Sequence, residues 1–134
     1  MIRVSLQEES DKKAIVLVAE SVEDVKRLRD LLLQIAQTGQ RVELEALEGF
    51  ELDRDRSLAV ERNEAIGFLD TSVSLAGRKD ALSRFRWARS GDAWRNAARL
   101  LETMISSGGP SHQYLTDNLG DAAEVRVSLG EESP

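Results

Sequence analysis

Apolar and polar residues alternate from the start of the chain. Ile2, Val4 and Leu6 stand against Arg3, Ser5 and Gln7, the period of a strand with one buried face. After a polar turn, Ala14 to Ala19 is apolar throughout, which predicts a central strand covered on both faces and hairpinned to the first. From Ser21 the period lengthens. Val25, Leu28, Leu32 and Ile35 recur every three or four positions, predicting an amphipathic helix that runs to about Gln37. Ser21 is its N-cap, with Asp24 placed for a capping box, and Gly39 is its left-handed stop. Glu23 and Arg27 form a favourable i,i+4 pair on its outer side.

Val42, Leu44 and Ala46 alternate with Arg41, Glu43 and Glu45, predicting a third strand with a charged outer face. The charge run from Phe50 to Arg56 reads as a solvated loop. Ser57–Glu61 and Ile66–Leu75 flank a turn at Arg62-Asn63-Glu64, and a slip in apolar phase predicts a bulge near Asp70. After a turn at Gly77–Asp80, Ser83, Phe85 and Trp87 share one face of a further strand. Residues 41–88 thus read as a four-stranded meander, with its last strand at a sheet edge open to pairing with a second copy.

Ser90 or Asp92 caps a second helix, whose buried face is Trp94, Ala97, Ala98, Leu101, Met104 and Ile105. Ser107-Gly108-Gly109-Pro110 ends it. Residues 108–115 then read as a connector, and Val125, Val127 and Leu129 as the inward face of a final strand. The order is ββαββββαβ. It predicts a single α+β domain over 1–130, a largely antiparallel sheet of six or seven strands with two helices packed on it, and a flexible tail at 131–134. No internal repeat is visible.

Composition changes this picture in three respects. The chain of 134 residues has no cysteine and a single histidine, which removes disulfides, thiolate catalysis and cysteine-ligated metals. No run approaches the about 20 apolar residues of a membrane helix, and the opening alternation has no signal-peptide pattern, so a cytoplasmic protein is expected. The net charge of −6 is uneven: residues 78–99 hold seven basic side chains against two acidic, while residues 100–134 hold one against six. An acidic body disfavours nucleic acid and anionic membranes.

Motifs for chemistry are missing from the sequence. There is no phosphate-binding glycine loop in a strand-to-helix context and no nucleophile elbow. Ser111 beside His112 is not a triad, whose members meet in space from separate segments. The cluster Glu48, Glu51, Asp53 and Asp55 lacks the spacing of a calcium loop. No cofactor and no metal site is expected.

Two stretches remain as candidates. Gly108–Leu115 holds the only histidine and the only tyrosine. His112 is the chain's one imidazole, the residue type suited to acid/base work near neutral pH, and Gln113 and Tyr114 flank it. Arg84 and Arg86 alternate with Phe85 and Trp87, whose rings fit a buried strand face, leaving an exposed arginine stripe suited to carboxylate or phosphate.

In size, acidity and lack of cysteine the chain resembles small bacterial immunity proteins, which inhibit a toxin partner. The likeness is one of type, and no residue is carried over from it. The expectation is a non-catalytic protein that binds a protein partner, with Glu43, Glu45, Glu48, Glu51, Asp53 and Asp55 facing it and a homodimer open. The alternative is a small-ligand protein or enzyme with a pocket formed by Arg84, Arg86, His112 and Tyr114.

Overall fold

The computed structural model describes residues 1–9, 12–54, 56–66, 72–79, 82–115 and 123–130. Strands β1 (Ile2–Glu9) and β2 (Lys12–Ala19) form the expected antiparallel hairpin, with Ile2 opposite Ala19 and Val4 opposite Leu17. Residues opposite one another share a sheet face. Ile2, Val4, Leu6, Ile15, Leu17 and Ala19 therefore make one continuous buried surface. On the other face Ala14, Val16 and Val18 are half-buried. So β2 is interior to its sheet but fully covered on one side only.

Helix α1 (Val22–Thr38) starts and stops where the sequence places it. The Asp24 N–H donates to Ser21 Oγ at 3.4 Å, and Gly39, at φ 70°, donates its N–H to the Ile35 carbonyl. The outer ion pairs differ from expectation: Glu23 pairs with Lys26 and Arg27 with Asp24. The third strand is shorter than its alternation predicts. After β3 (Val42–Glu43) the chain coils into a 3₁₀ turn at Leu44–Ala46, closed by Leu47 N–H to the Leu44 carbonyl. The turn buries Leu44 and brings Glu45 Oε1 to the Leu58 N–H at 2.9 Å, so a side chain replaces a backbone partner along the edge of the next strand.

The run from Phe50 is not wholly loop. Phe50–Leu52 forms β4, parallel to β1, because Phe50 is buried and anchors it. Strand β5 (Arg56–Arg62) follows, and the turn at Asn63 forms, its carbonyl accepting from the Ile66 N–H. Then come β6 (Ser72–Lys79), β7 (Leu82–Arg89), helix α2 (Gly91–Ser107), β8 (Ser111–Tyr114) and β9 (Ala123–Leu129). Gly77–Lys79, expected as a turn, belongs to β6, and the register shift lies at Leu75/Gly77. The bulge expected at Asp70 and the tail at 131–134 lie outside the described residues.

Two sheets result, in the orders β4-β1-β2-β9-β8 and β3-β5-β7-β6. The fold is α+β, but both sheets are mixed rather than largely antiparallel: β1 pairs with β4, β2 with β9 and β5 with β7 in parallel. Among the described residues the strands number nine, above the six or seven expected. The meander is overturned as well. Leu58, Ala59 and Val60 are all buried, Ala59 on the outer face between Glu43 and Arg86, the mark of a strand flanked on both sides within its sheet. So β5 lies inside its sheet, and β7, bearing Phe85 and Trp87, lies between β5 and β6 rather than at an edge.

A duplicated plan underlies this arrangement. With β4 set aside, each half runs hairpin, helix, short strand, long strand: β1-β2-α1-β3-β5 and β6-β7-α2-β8-β9. The same interval separates Ser21 from Ser90 and Gly39 from Gly108, the caps of two 17-residue helices. At that interval the buried positions coincide, Val25 with Trp94, Leu28 with Ala97, Leu32 with Leu101 and Ile35 with Met104. The halves exchange strands. The hairpin of the first half takes β9 and β8 of the second, and the hairpin of the second takes β5 and β3 of the first. The helices pack on each other, tied by Arg29 to Glu102 at 2.9 Å, and one hydrophobic cluster draws on both halves.

Candidate functional sites on two sheet faces

The four-stranded sheet has one face turned away from the core. Register places Ala59 beside Arg86, Ser57 beside Arg84 and Glu43 beside Ala59 on that face, with Phe85 and Trp87 on the inner one. The expected partition of this stretch therefore holds: aromatics in, arginines out. Trp87 meets Trp94 edge-on at 4.7 Å, and Trp94 Nε1 donates to the Glu61 carbonyl at 2.9 Å. Above the outer face lies an open groove of about 610 Å³, where Arg84 and Arg86 meet Glu43, Glu45 and Asp53.

Arginines outnumber acids along this groove: Arg41, Arg54 and Arg56 join the other two. Arg86 is held by Glu61 at 2.9 Å and Arg41 by Glu43 at 3.7 Å. Arg56 lies over the Phe85 ring at 5.6 Å, a cation–π arrangement. Arg54 and Arg84 make no ion pair among the described residues.

His112, Gln113 and Tyr114 are not in a connector. They form β8, the edge strand beside β9 in the five-stranded sheet. Register puts His112 opposite Ser128 and Tyr114 opposite Arg126 on the outer face, with Gln113 opposite the buried Val127. The two rings pack edge-on at 5.7 Å, and Gln113 Nε2 donates to the Tyr114 carbonyl. Arg84 and Arg86 thus stand on one sheet, and His112 and Tyr114 on the other.

The acidic segment disperses too. Glu43, Glu45 and Asp53 reach the groove, Glu48 lines a cavity beside α1, and Glu51 stands next to Arg3 on the outer face of the five-stranded sheet. Asp55 lies outside the described residues. Asp53 links the faces, lining both the groove and a smaller cavity between Arg3 and Arg126. Sequence reasoning passed over Arg126. The signal was present, since it is the only basic residue in 100–134.

The most developed charge network serves structure. Asp24 is only 4% exposed and accepts from the Met1 α-ammonium at 2.9 Å, from the Glu20 N–H at 3.1 Å and from Arg27 at 3.4 Å. Burial alone would push its carboxyl up, but the hydrogen bonds from Met1 and from backbone N–H groups outweigh that and hold it below its ordinary value. The same contact raises the Met1 ammonium. Among the described residues no group of three or more His, Asp or Glu is placed to hold a metal ion, and no helix is long and apolar enough to cross a membrane. Comparison with protein families, with curated proteins and with solved structures finds no match to this chain.

Proposed function

We propose that the chain is a non-catalytic binding protein of the immunity or inhibitor type, which engages a protein partner through the outer face of its four-stranded sheet. The observation that carries this reading is the groove itself. It gathers Arg84, Arg86, Glu43, Glu45 and Asp53 on one open surface, and leaves Arg54 and Arg84 without an ion pair among the described residues. A guanidinium fork matches carboxylates, and charges of both signs on one surface set partner and register more than raw affinity. The complementary partner presents acidic side chains to the arginines and a basic one to Asp53. A neighbouring gene for a toxin would favour the immunity role.

The test is capture from the native host at low salt with the wild-type chain, Arg84→Glu and Arg126→Gln. The expected result is one partner held by wild type and by Arg126→Gln, released by rising salt and lost with Arg84→Glu. No recovered partner, or one indifferent to Arg84→Glu, removes the reading.

A further inference from the structure

The outer face of the five-stranded sheet carries a second feature, which shares Leu52 and Asp53 with the groove. Arg126 on β9 lies beside Val16 on β2, and Val16 beside Ser5 on β1; one step along, Val18 lies beside Arg3, and Arg3 beside Glu51 on β4. Over these strands is a cavity of about 220 Å³, floored by half-buried Val16 and Val18. Arg126 borders it on one side, Glu51 and Asp53 on the other. This volume is below that of pockets for drug-sized ligands.

Its charges are unspent. Arg126 Nε is buried and has no hydrogen-bond partner among the described residues. Neither Arg126 nor Asp53 makes an ion pair among the described residues. A buried unsatisfied guanidinium nitrogen is costly in a fold that satisfies most of its polar atoms. A guanidinium offers five donors in a planar fork, and a carboxylate is the group that fits it bidentately. From β9 to β4 is three strand spacings, about 14 Å between backbones, and side chains reaching in from both ends narrow that gap to the length of a small molecule. The cavity therefore has a cation on β9 and anions on and after β4, with two valines on β2 and Arg3 and Ser5 on β1 between them.

The geometry points to a binding site for a small aliphatic amino acid, its carboxylate on Arg126, its ammonium on Asp53 and Glu51, and its side chain on Val16 and Val18. Arg3, in register with Glu51, offsets one of the two acids and leaves Asp53 to answer the ammonium. Tyr114 is the cross-strand neighbour of Arg126 on β8.

The experiment is calorimetric titration and thermal shift of the full chain with three probes: L-leucine, 4-methylpentanoate, which lacks the ammonium, and isopentylamine, which lacks the carboxylate. Leucine is expected to bind most tightly, the carboxylate at least tenfold more weakly, and the amine more weakly still. Arg126→Gln is expected to weaken leucine tenfold or more. Asp53→Asn, at an exposed position that leaves folding intact, is expected to weaken leucine about tenfold and leave 4-methylpentanoate unchanged. Arg84→Gln is expected to change none of the three. Absence of binding by all three probes at millimolar concentration overturns the site, as does leucine binding indifferent to both Arg126→Gln and Asp53→Asn.

Discussion

The two halves of this chain run on one backbone plan but solve its helix entrances with opposite charges. In the first half the third helical position is Asp24, a buried anion that gathers the Met1 ammonium, a backbone N–H and Arg27. In the second half the equivalent position is Ala93, fully buried and apolar. There the buried charge moves to Arg89, just before the Ser90 cap, which donates to the Leu115 carbonyl at 2.6 Å. Volume is exchanged as well as charge. Trp94 stands where Val25 does, and one turn on Ala97 stands where Leu28 does. A large residue beside a small one fills the same space as two of middling size, which is how a core keeps its density while its sequence drifts. A shared plan needs matched packing and matched caps, not matched residues.

The sharpest way to break the comparison is at its aromatic position. Trp94→Ala removes a buried indole, its hydrogen bond to the Glu61 carbonyl and its edge contact with Trp87, and should cost about 3–5 kcal/mol. Val25→Ala deletes two methyl groups and should cost about 2 kcal/mol. Urea denaturation of both variants checks the order, and a larger loss at Val25 would contradict the packing described.

Asp24→Asn comes next, since it leaves a buried amide among donors arranged for a carboxylate; the expected loss is about 1–3 kcal/mol. Its pH dependence has two limbs. The folded Asp24 carboxyl titrates below its ordinary 3.8, so its contribution is present above that value and is lost as pH falls through the lower folded one. The Met1 ammonium titrates above its ordinary 8.0, so its share is present below that and is lost as pH rises through the folded value. The stability gap between wild type and Asp24→Asn, followed by denaturant midpoint, should therefore narrow at both ends of the pH range.

The caps give the smallest and cleanest contrast. Ser90 is buried and Ser21 exposed, so Ser90→Ala should cost more within the range of about 0.5–2 kcal/mol for such caps. Gly39 and Gly108 both have positive φ, where an L side chain costs about 1 kcal/mol. A Cβ at Gly39 would meet the Arg62 guanidinium at 2.7 Å, whereas at Gly108 it meets open space. Gly39→Ala should be the more destabilising of the two, and melting temperatures decide it.

What the sequence disclosed divides along physical lines. Both helices, their caps and the inward faces of β1, β2 and β9 were legible, because local periodicity and cap chemistry dictate them. Short edge strands were not. β8 is Ser-His-Gln-Tyr and β4 is Phe-Glu-Leu, too brief and too polar to show a period, since neighbouring strands do the work of holding them. Strand order was equally hidden. Short connections favour sequential neighbours, yet β5 skips β6 to reach β7, a choice made by the buried run Leu58–Val60 rather than by the turn beside it. The duplicated plan left no visible repeat because pairs such as Val25 and Trp94 have diverged in size. Of the candidate site residues, Arg84 and Arg86 stand on an outer face as their alternation with Phe85 and Trp87 predicts, whereas Arg126 has no signal in the sequence beyond being the lone basic residue in 100–134.

The strand exchange bears on how the molecule is made. A chain leaves the ribosome from its N-terminus, and domains tend to fold as they emerge. Here the β1–β2 hairpin is complete early, but the strand that covers the open side of β2 is β9, with Ile15 waiting for Val125. Until then Ile15 and Leu17 belong to a sheet with an open edge, the kind of surface that invites pairing with a stranger. Long-range pairing of this sort is slow to form. Two copies in synthesis on one messenger could lend each other the missing strands, and the same topology that interlocks the halves of one molecule would then join halves of two.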